Sequence, residues 1–223
     1  MTKRFNEVTG PIPLGVAGGL MFGAFLAVWQ RVLDAVAGQT VYTLTAFAGV
    51  VALGVTVGFI VAWWLCRRMT CPMVLLRLVF LLLACWLVFQ LAAVKGVAGG
   101  WQRILMDTTR TFDLAMLTLG RTTVFLFGVP AVLAGVAGQL LLQQRVRTAP
   151  QQNRQATIGI LGAVLVSASA GYTLGAGVLV PWVGVEGFTR LAALWFGALA
   201  SIAVLAGVSR WTGIRLVLAC VPF

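Results

Sequence analysis

Six apolar runs of about twenty residues, joined by short loops, decide what this chain can fold into. Hydrocarbon offers no water to peptide groups. A run of that length therefore crosses a bilayer as an α-helix, with each N–H and C=O paired inside its own segment. The runs cover about residues 13–36, 41–65, 72–94, 121–142, 156–180 and 188–208. A mean hydropathy of +1.01 and 61% hydrophobic residues leave little sequence for a soluble domain.

The expected fold class is all-α: a polytopic transmembrane helix bundle, one integral membrane domain over residues 1–223. Beside the six spans, the stretch from about 100 to 116 reads as an amphipathic helix on the outer membrane surface. Trp101, Ile104, Leu105, Phe112, Ala115 and Met116 recur there at helical spacing. Arg103/Asp107 and Arg110/Asp113 pair opposite charges four and three apart. The last segment, Trp211–Phe223, is apolar but only thirteen residues long. As a helix it extends about 20 Å, short of the roughly 30 Å hydrocarbon core. It reads as a half-span, an interfacial helix or the stump of a seventh span in a longer parent.

Charge sets the expected orientation. Lys and Arg number 16 against five acids, a net charge of +11. These cations sit in short loops rather than on one solvated face, so the pattern points to lipid headgroups and topology, not nucleic acid. With the N-terminus in the cytoplasm, Lys3, Arg4, Arg67, Arg68 and the loop 143–155 fall inside. The expected location is a bacterial-type inner (plasma) membrane, crossed several times. Arg67, Arg68 and Arg77 are the candidate contacts to lipid headgroups.

Chemistry is read mainly from what the composition lacks. The chain has no histidine, which removes the commonest proton shuttle and metal ligand. Its five acids, Glu7, Asp34, Asp107, Asp113 and Glu186, lie outside the middle of the apolar runs. Cys66 and Cys71 flank a basic loop without a second ligand pair and read as small apolar residues. No catalytic residue, metal or cofactor is expected. Arg31/Asp34 and Glu186/Arg190 read as ion pairs at the outer helix ends, with the possibility that the two pairs meet. Ser169, Tyr172 and Thr173 are the one polar cluster to be tested as a pocket. Gly54 and Gly58, with Ser167, Gly171 and Gly175, are spaced for close helix–helix approach, as are Gly15, Gly19 and Gly23.

Residues 18–33 (Gly18 to Leu33), the turn Gly38-Gln-Thr-Val-Tyr42 and the span with Gly54-Val-Thr-Val-Gly58 resemble the start of the membrane domain of spermidine-synthase-like proteins. The stretch from Ser167 to Gly184, with Pro181-Trp-Val-Gly184, is similar to that family's later glycine-patterned span. The chain departs from the pattern where the family carries an acid in the first span (Leu26 stands there) and an Asn in the later span (Val164 is nearest). The soluble aminopropyltransferase domain has no counterpart, so the resemblance implies a membrane module and carries over no catalytic residue.

The leading expectation is a non-enzymatic membrane scaffold or accessory subunit that packs against other membrane protein subunits and lipids. Phe80, Trp86, Phe125 and Trp195 are the aromatic positions such a partner would cover. The alternatives are a small-solute transporter-like module, for which the resemblance implies a cationic solute, or the membrane part of a split aminopropyltransferase.

Overall fold

The computed structural model describes residues 11–68, 72–106, 112–148 and 153–207, and every element among them is helical. The helices are α1 (Pro11–Ala37), α2 (Val41–Arg68), α3 (Pro72–Met106), α4 (Phe112–Thr123), α5 (Val129–Thr148), α6 (Asn153–Leu174) and α7 (Val180–Gly207). One π-helical turn, Val124–Gly128, joins α4 to α5; a second, Gly175–Leu179, joins α6 to α7.

Local chemistry explains the ends. Pro11 and Pro72 open their helices, where a missing N–H costs nothing. Gly38 ends α1 at φ 84°, a left-handed conformation that suits glycine, and its N–H bonds the Asp34 carbonyl at 2.9 Å. Thr40 and Thr43 then cap α2 reciprocally: the Thr43 N–H donates to Thr40 Oγ1 at 3.2 Å and the Thr40 N–H to Thr43 Oγ1 at 3.0 Å.

Six helical segments are long and apolar enough to cross a membrane: 13–37, 41–67, 74–93, 114–143, 161–179 and 181–201. They match the six expected spans in number and order, but the fourth and the sixth each begin about seven residues early. The stretch 100–116 is not one separate helix. Its first part continues α3, which runs 35 residues without a proline to stop it, and residues 112–116 open α4. Residues 107–111 lie outside the described residues, as do Lys3, Arg4, Cys71 and the segment 211–223. The expected loop Pro181–Glu186 is also helical, and the chain turns at the single residue Gly184, at φ 73°.

The bundle is two three-helix halves of opposite topology. The first is α1, α2 and α3; the second is α4–α5, α6 and α7. The first helix of each half packs along the second helix of the other: α1 along α6, and α2 along α5. The third helices, α3 and α7, cross at the centre, where the Phe80 and Phe196 rings stack at 6.2 Å.

The two outer interfaces repeat each other residue by residue. A Cβ on Gly58 would stand 2.1 Å from the Val132 carbonyl oxygen, and one on Gly135 2.2 Å from that of Val55. Across the molecule, a Cβ on Gly171 would stand 1.8 Å from the Leu20 carbonyl oxygen, and one on Gly23 1.9 Å from that of Ala168. Leu20 and Gly23 thus correspond to Val132 and Gly135, and Val55 and Gly58 to Ala168 and Gly171. Gly54 against Ala131 corresponds to Ser167 against Gly19. At Gly23, Gly58, Gly135 and Gly171 a backbone lies where a side chain would be, so only glycine fits, whereas Gly54 and Gly19 face the small side chains of Ala131 and Ser167. Two spans lie between equivalent helices, so these cross in opposite directions and the halves are inverted with respect to each other.

Leucine in place of Gly58 or Gly171 should push the paired backbones apart and destabilise the fold by about 1–3 kcal/mol. The same change at Gly49 or Gly162, where a Cβ would meet nothing within 4 Å, should be nearly neutral. Thermal unfolding in detergent distinguishes the two classes, and equal effects at all four sites would overturn the packing account.

Candidate functional site

The end of the bundle that holds the start of α1 is called here the lower face, and the end that holds Gly38 the upper face. A cavity of about 80 Å³ lies in the lower half, where the two halves meet. α1 contributes Gly15, Gly18, Gly19 and Phe22; α5 contributes Leu133, Ala134, Ala137 and Gly138. Val79, Phe80 and Leu83 of α3, Val164 and Ala168 of α6 and Phe196 of α7 line it too, with Leu14 of α1 and Leu141 of α5 towards the lower face. The lining side chains are apolar throughout, apart from their backbones.

Side-chain volume explains why the space is on one side only. By the correspondence above, Gly15 matches Phe127, and Ala137 matches Phe25. The small members line the cavity. The large members fill the equivalent place in the upper half, where Phe25 and Phe127 lie 6.4 Å apart and Phe47 meets Phe127 edge-on at 4.8 Å. Phe25 and Phe127 are almost fully buried. The seam between the halves is therefore hollow below and filled by rings above.

Polar atoms gather beside this aromatic closure. Pro130 has no N–H, so the Leu126 carbonyl one turn earlier loses its α-helical partner. The buried Gln90 of α3 supplies one instead, its Nε2 donating to the Leu126 oxygen at 2.6 Å. Since a carbonyl can only accept, this bond sets the amide orientation and leaves Gln90 Oε1 as an acceptor. That oxygen has no hydrogen-bond partner among the described residues, nor do the buried indole N–H groups of Trp29 and Trp86. Trp29 packs on Phe25 at 6.3 Å, and Trp86 on Phe125 at 5.6 Å.

The polar cluster expected at Ser169, Tyr172 and Thr173 does not form this site. Ser169 donates to the Leu165 carbonyl and Thr173 to that of Ala170, both on the exposed side of α6. Such bonds within a helix consume the hydroxyl. The Tyr172 hydroxyl reaches across to Gln30 Oε1, which pins α6 to α1. None of the three lines the cavity. Arg31 and Asp34 lie within electrostatic reach of Tyr172. Glu186 and Arg190 pair with each other at 2.6 Å, strongly exposed. So Arg31 and Asp34 gather at the Tyr172 end of α1, and Glu186 has its ion partner on its own helix.

Arg67 stacks over the Trp63 ring at 3.6 Å, an arrangement suited to the membrane interface. Arg68 closes α2, and Arg77 is half-buried on α3. Phe80, expected to face outward, is instead 3% exposed at the centre of the seam. It belongs to the stripe Leu76, Phe80, Leu83, Leu87 and Gln90, which α3 turns to the core. Trp86 and Phe125 are half-buried against each other, and Trp195 is 39% exposed with its N–H bonded to the Ala17 carbonyl at 3.3 Å.

The fold and the seam define the class: an all-helical, multi-pass membrane protein built of two inverted three-helix halves around an apolar cavity. No protein-family model, curated protein or solved structure matches the chain.

Replacing Gln90 by Leu should leave the Leu126 carbonyl buried and unpaired, at a cost of about 1–3 kcal/mol. Adding Pro130→Ala, which restores a backbone N–H to that carbonyl, should recover much of the loss. A double-mutant cycle in thermal unfolding reads this coupling directly, and strict additivity of the two changes would refute the pairing.

Proposed function

We propose that this chain is a membrane transport module for a small solute, carried along the seam between its two halves. The observation that supports this reading most is the cavity on the seam of an inverted repeat. Inverted halves of this kind pair in many transporters, with the solute site at their interface and beside interrupted helices. Here both interruptions, the π turns at 124–128 and 175–179, precede a proline (Pro130 and Pro181) and flank the seam. The mechanism is one of access. A solute enters the lower cavity, and passage upward requires Phe25 and Phe127 to swing aside. π turns ease such a movement because their carbonyls are not held in a regular α-helical ladder.

A second reading, an accessory subunit, draws on a separate feature. The α2 and α6 spans are the least buried, at 11% and 17%, since each packs mainly on one helix. Their outer faces offer broad apolar surface to lipid or to a partner subunit.

Reconstitution separates the two readings. Liposomes containing the protein should equilibrate at least one member of a panel of glycerol, acetamide and methylammonium faster than empty liposomes. Ala134→Trp, which fills the cavity, should remove that increment while the variant still purifies as a folded protein. Flux indistinguishable from empty liposomes for the whole panel, together with a stoichiometric companion on gentle extraction, would favour the accessory subunit.

A further inference from the structure

Helical spacing places the unpartnered polar atoms on the line of the cavity. The upper rim of the cavity is made by Phe22 of α1, Leu83 of α3 and Leu133 of α5. Trp29 lies seven residues beyond Phe22, Gln90 seven beyond Leu83, and the Leu126 carbonyl seven before Leu133, where the chain runs the other way. Seven residues are two turns, about 10 Å, and return to nearly the same helix face. Three helices therefore present polar groups at about one depth, above the rim. Between rim and polar layer stand Phe25, Leu87 and Phe127, each no more than 1% exposed.

We infer that Trp29, Trp86 and Gln90 form a binding position on the transport path, for a small uncharged solute carrying both a hydrogen-bond donor and an acceptor. The inference rests on the transport reading above and names its substrate class. Trp29 and Gln90 are both 0% exposed. Buried polar groups in native proteins are nearly always paired, and leaving one bare costs as much as a hydrogen bond gains. Here two N–H donors and one C=O acceptor stay bare: Gln90 bonds Leu126 of the π turn, Trp86 packs on its Phe125, and Trp29 packs on Phe25, which meets its Phe127. A solute with one hydroxyl or amide answers both kinds: its donor meets Gln90 Oε1, and its oxygen accepts from an indole N–H. The Leu126 carbonyl is already occupied, and it holds Gln90 in the orientation that presents Oε1.

An ion does not fit the layer. Neither the cavity lining nor the polar layer contains an ionisable side chain. A charge without a counter-charge is costly to bury, whereas a neutral polar molecule needs only hydrogen bonds. The aromatic plug acts in the same direction, since rings rotate past a small neutral molecule without stripping a hydration shell.

Glycerol and acetamide are suitable probes, with methylammonium as the charged comparison. Flux is read by light scattering in proteoliposomes, and binding by the fluorescence change of Trp29 and Trp86, isolated by difference from their Phe variants. Trp29→Phe and Trp86→Phe keep the ring packing and the Gln90–Leu126 bond and remove one donor each. Either change should lower glycerol or acetamide flux about tenfold, the effect of one hydrogen bond to a buried solute. Gln90→Leu, made in the Pro130→Ala background so that Leu126 is not left bare, should abolish the fluorescence change seen in Pro130→Ala alone. Flux that is equal in all these variants, but still blocked by Ala134→Trp, would overturn the binding position and leave transport standing. A Gln90-dependent fluorescence change without flux of any probe would overturn transport and leave the position standing. Flux of methylammonium alone, with no response to either neutral probe, would overturn the assigned solute class.

Discussion

Everything in this bundle depends on backbones that touch. Inside a bilayer, apolar side chains gain nothing by leaving lipid for protein, so helices are held by close packing. At Gly58, Gly135, Gly23 and Gly171 the opposing carbonyl stands where a Cβ would be. Close approach lets dispersion contacts accumulate along the whole length of α1 on α6 and of α2 on α5. These two glycine seams define two pairs of helices. The pairs leave α3 and α7 to cross between them, with Phe80 against Phe196. Had either seam carried ordinary side chains, the pairs would spread and the central crossing would lose its enclosure.

Proline plays the opposite part, since it loosens where glycine tightens. Pro130 and Pro181 each follow a π turn, and each removes an N–H from a helix in mid-course. At Pro130 the freed carbonyl is met by Gln90, the polar member of the buried stripe of α3 that also holds Leu76, Phe80, Leu83 and Leu87. A defect in one helix is thus paired with a polar residue in another. That exchange brings an amide into the apolar interior and places it beside the aromatic closure.

The inverted halves are alike in backbone and unlike in content. Gly15 and Ala137 stand where Phe127 and Phe25 stand in the other half, and this difference of ring against small residue makes one side of the seam hollow and the other full. A symmetric frame with asymmetric filling gives a cavity on one side only, a difference that the backbone alone would not confer. The surface follows the same logic at lower resolution. Arg67 over Trp63 marks one face, and Arg31, Asp34, Glu186 and Arg190 mark the other.

The sequence by itself determined the number and order of the spans and the glycines at close approach, because these follow from run length and spacing within one segment. Gly54, Gly58, Ser167, Gly171 and Gly175 were legible for that reason. It also determined what chemistry is missing, since a chain without histidine contains none in any fold. Only the tertiary structure decided which glycine faces which helix. The repeat relating the halves leaves little trace in side chains: Gly23 and Gly135 match, but Gly15 answers to Phe127, so the likeness lies in contacts rather than letters. Ser169, Tyr172 and Thr173 looked like a site because their hydroxyls cluster along the chain. In space two of them are spent on their own helix. Trp29 on α1 and Trp86 and Gln90 on α3 stand in separate apolar runs, and helix packing sets Gln90 beside Leu126, Trp86 beside Phe125 and Trp29 beside Phe25. Periodicity reports the face a residue occupies on its own helix, and it cannot report what the neighbouring helix brings to that face.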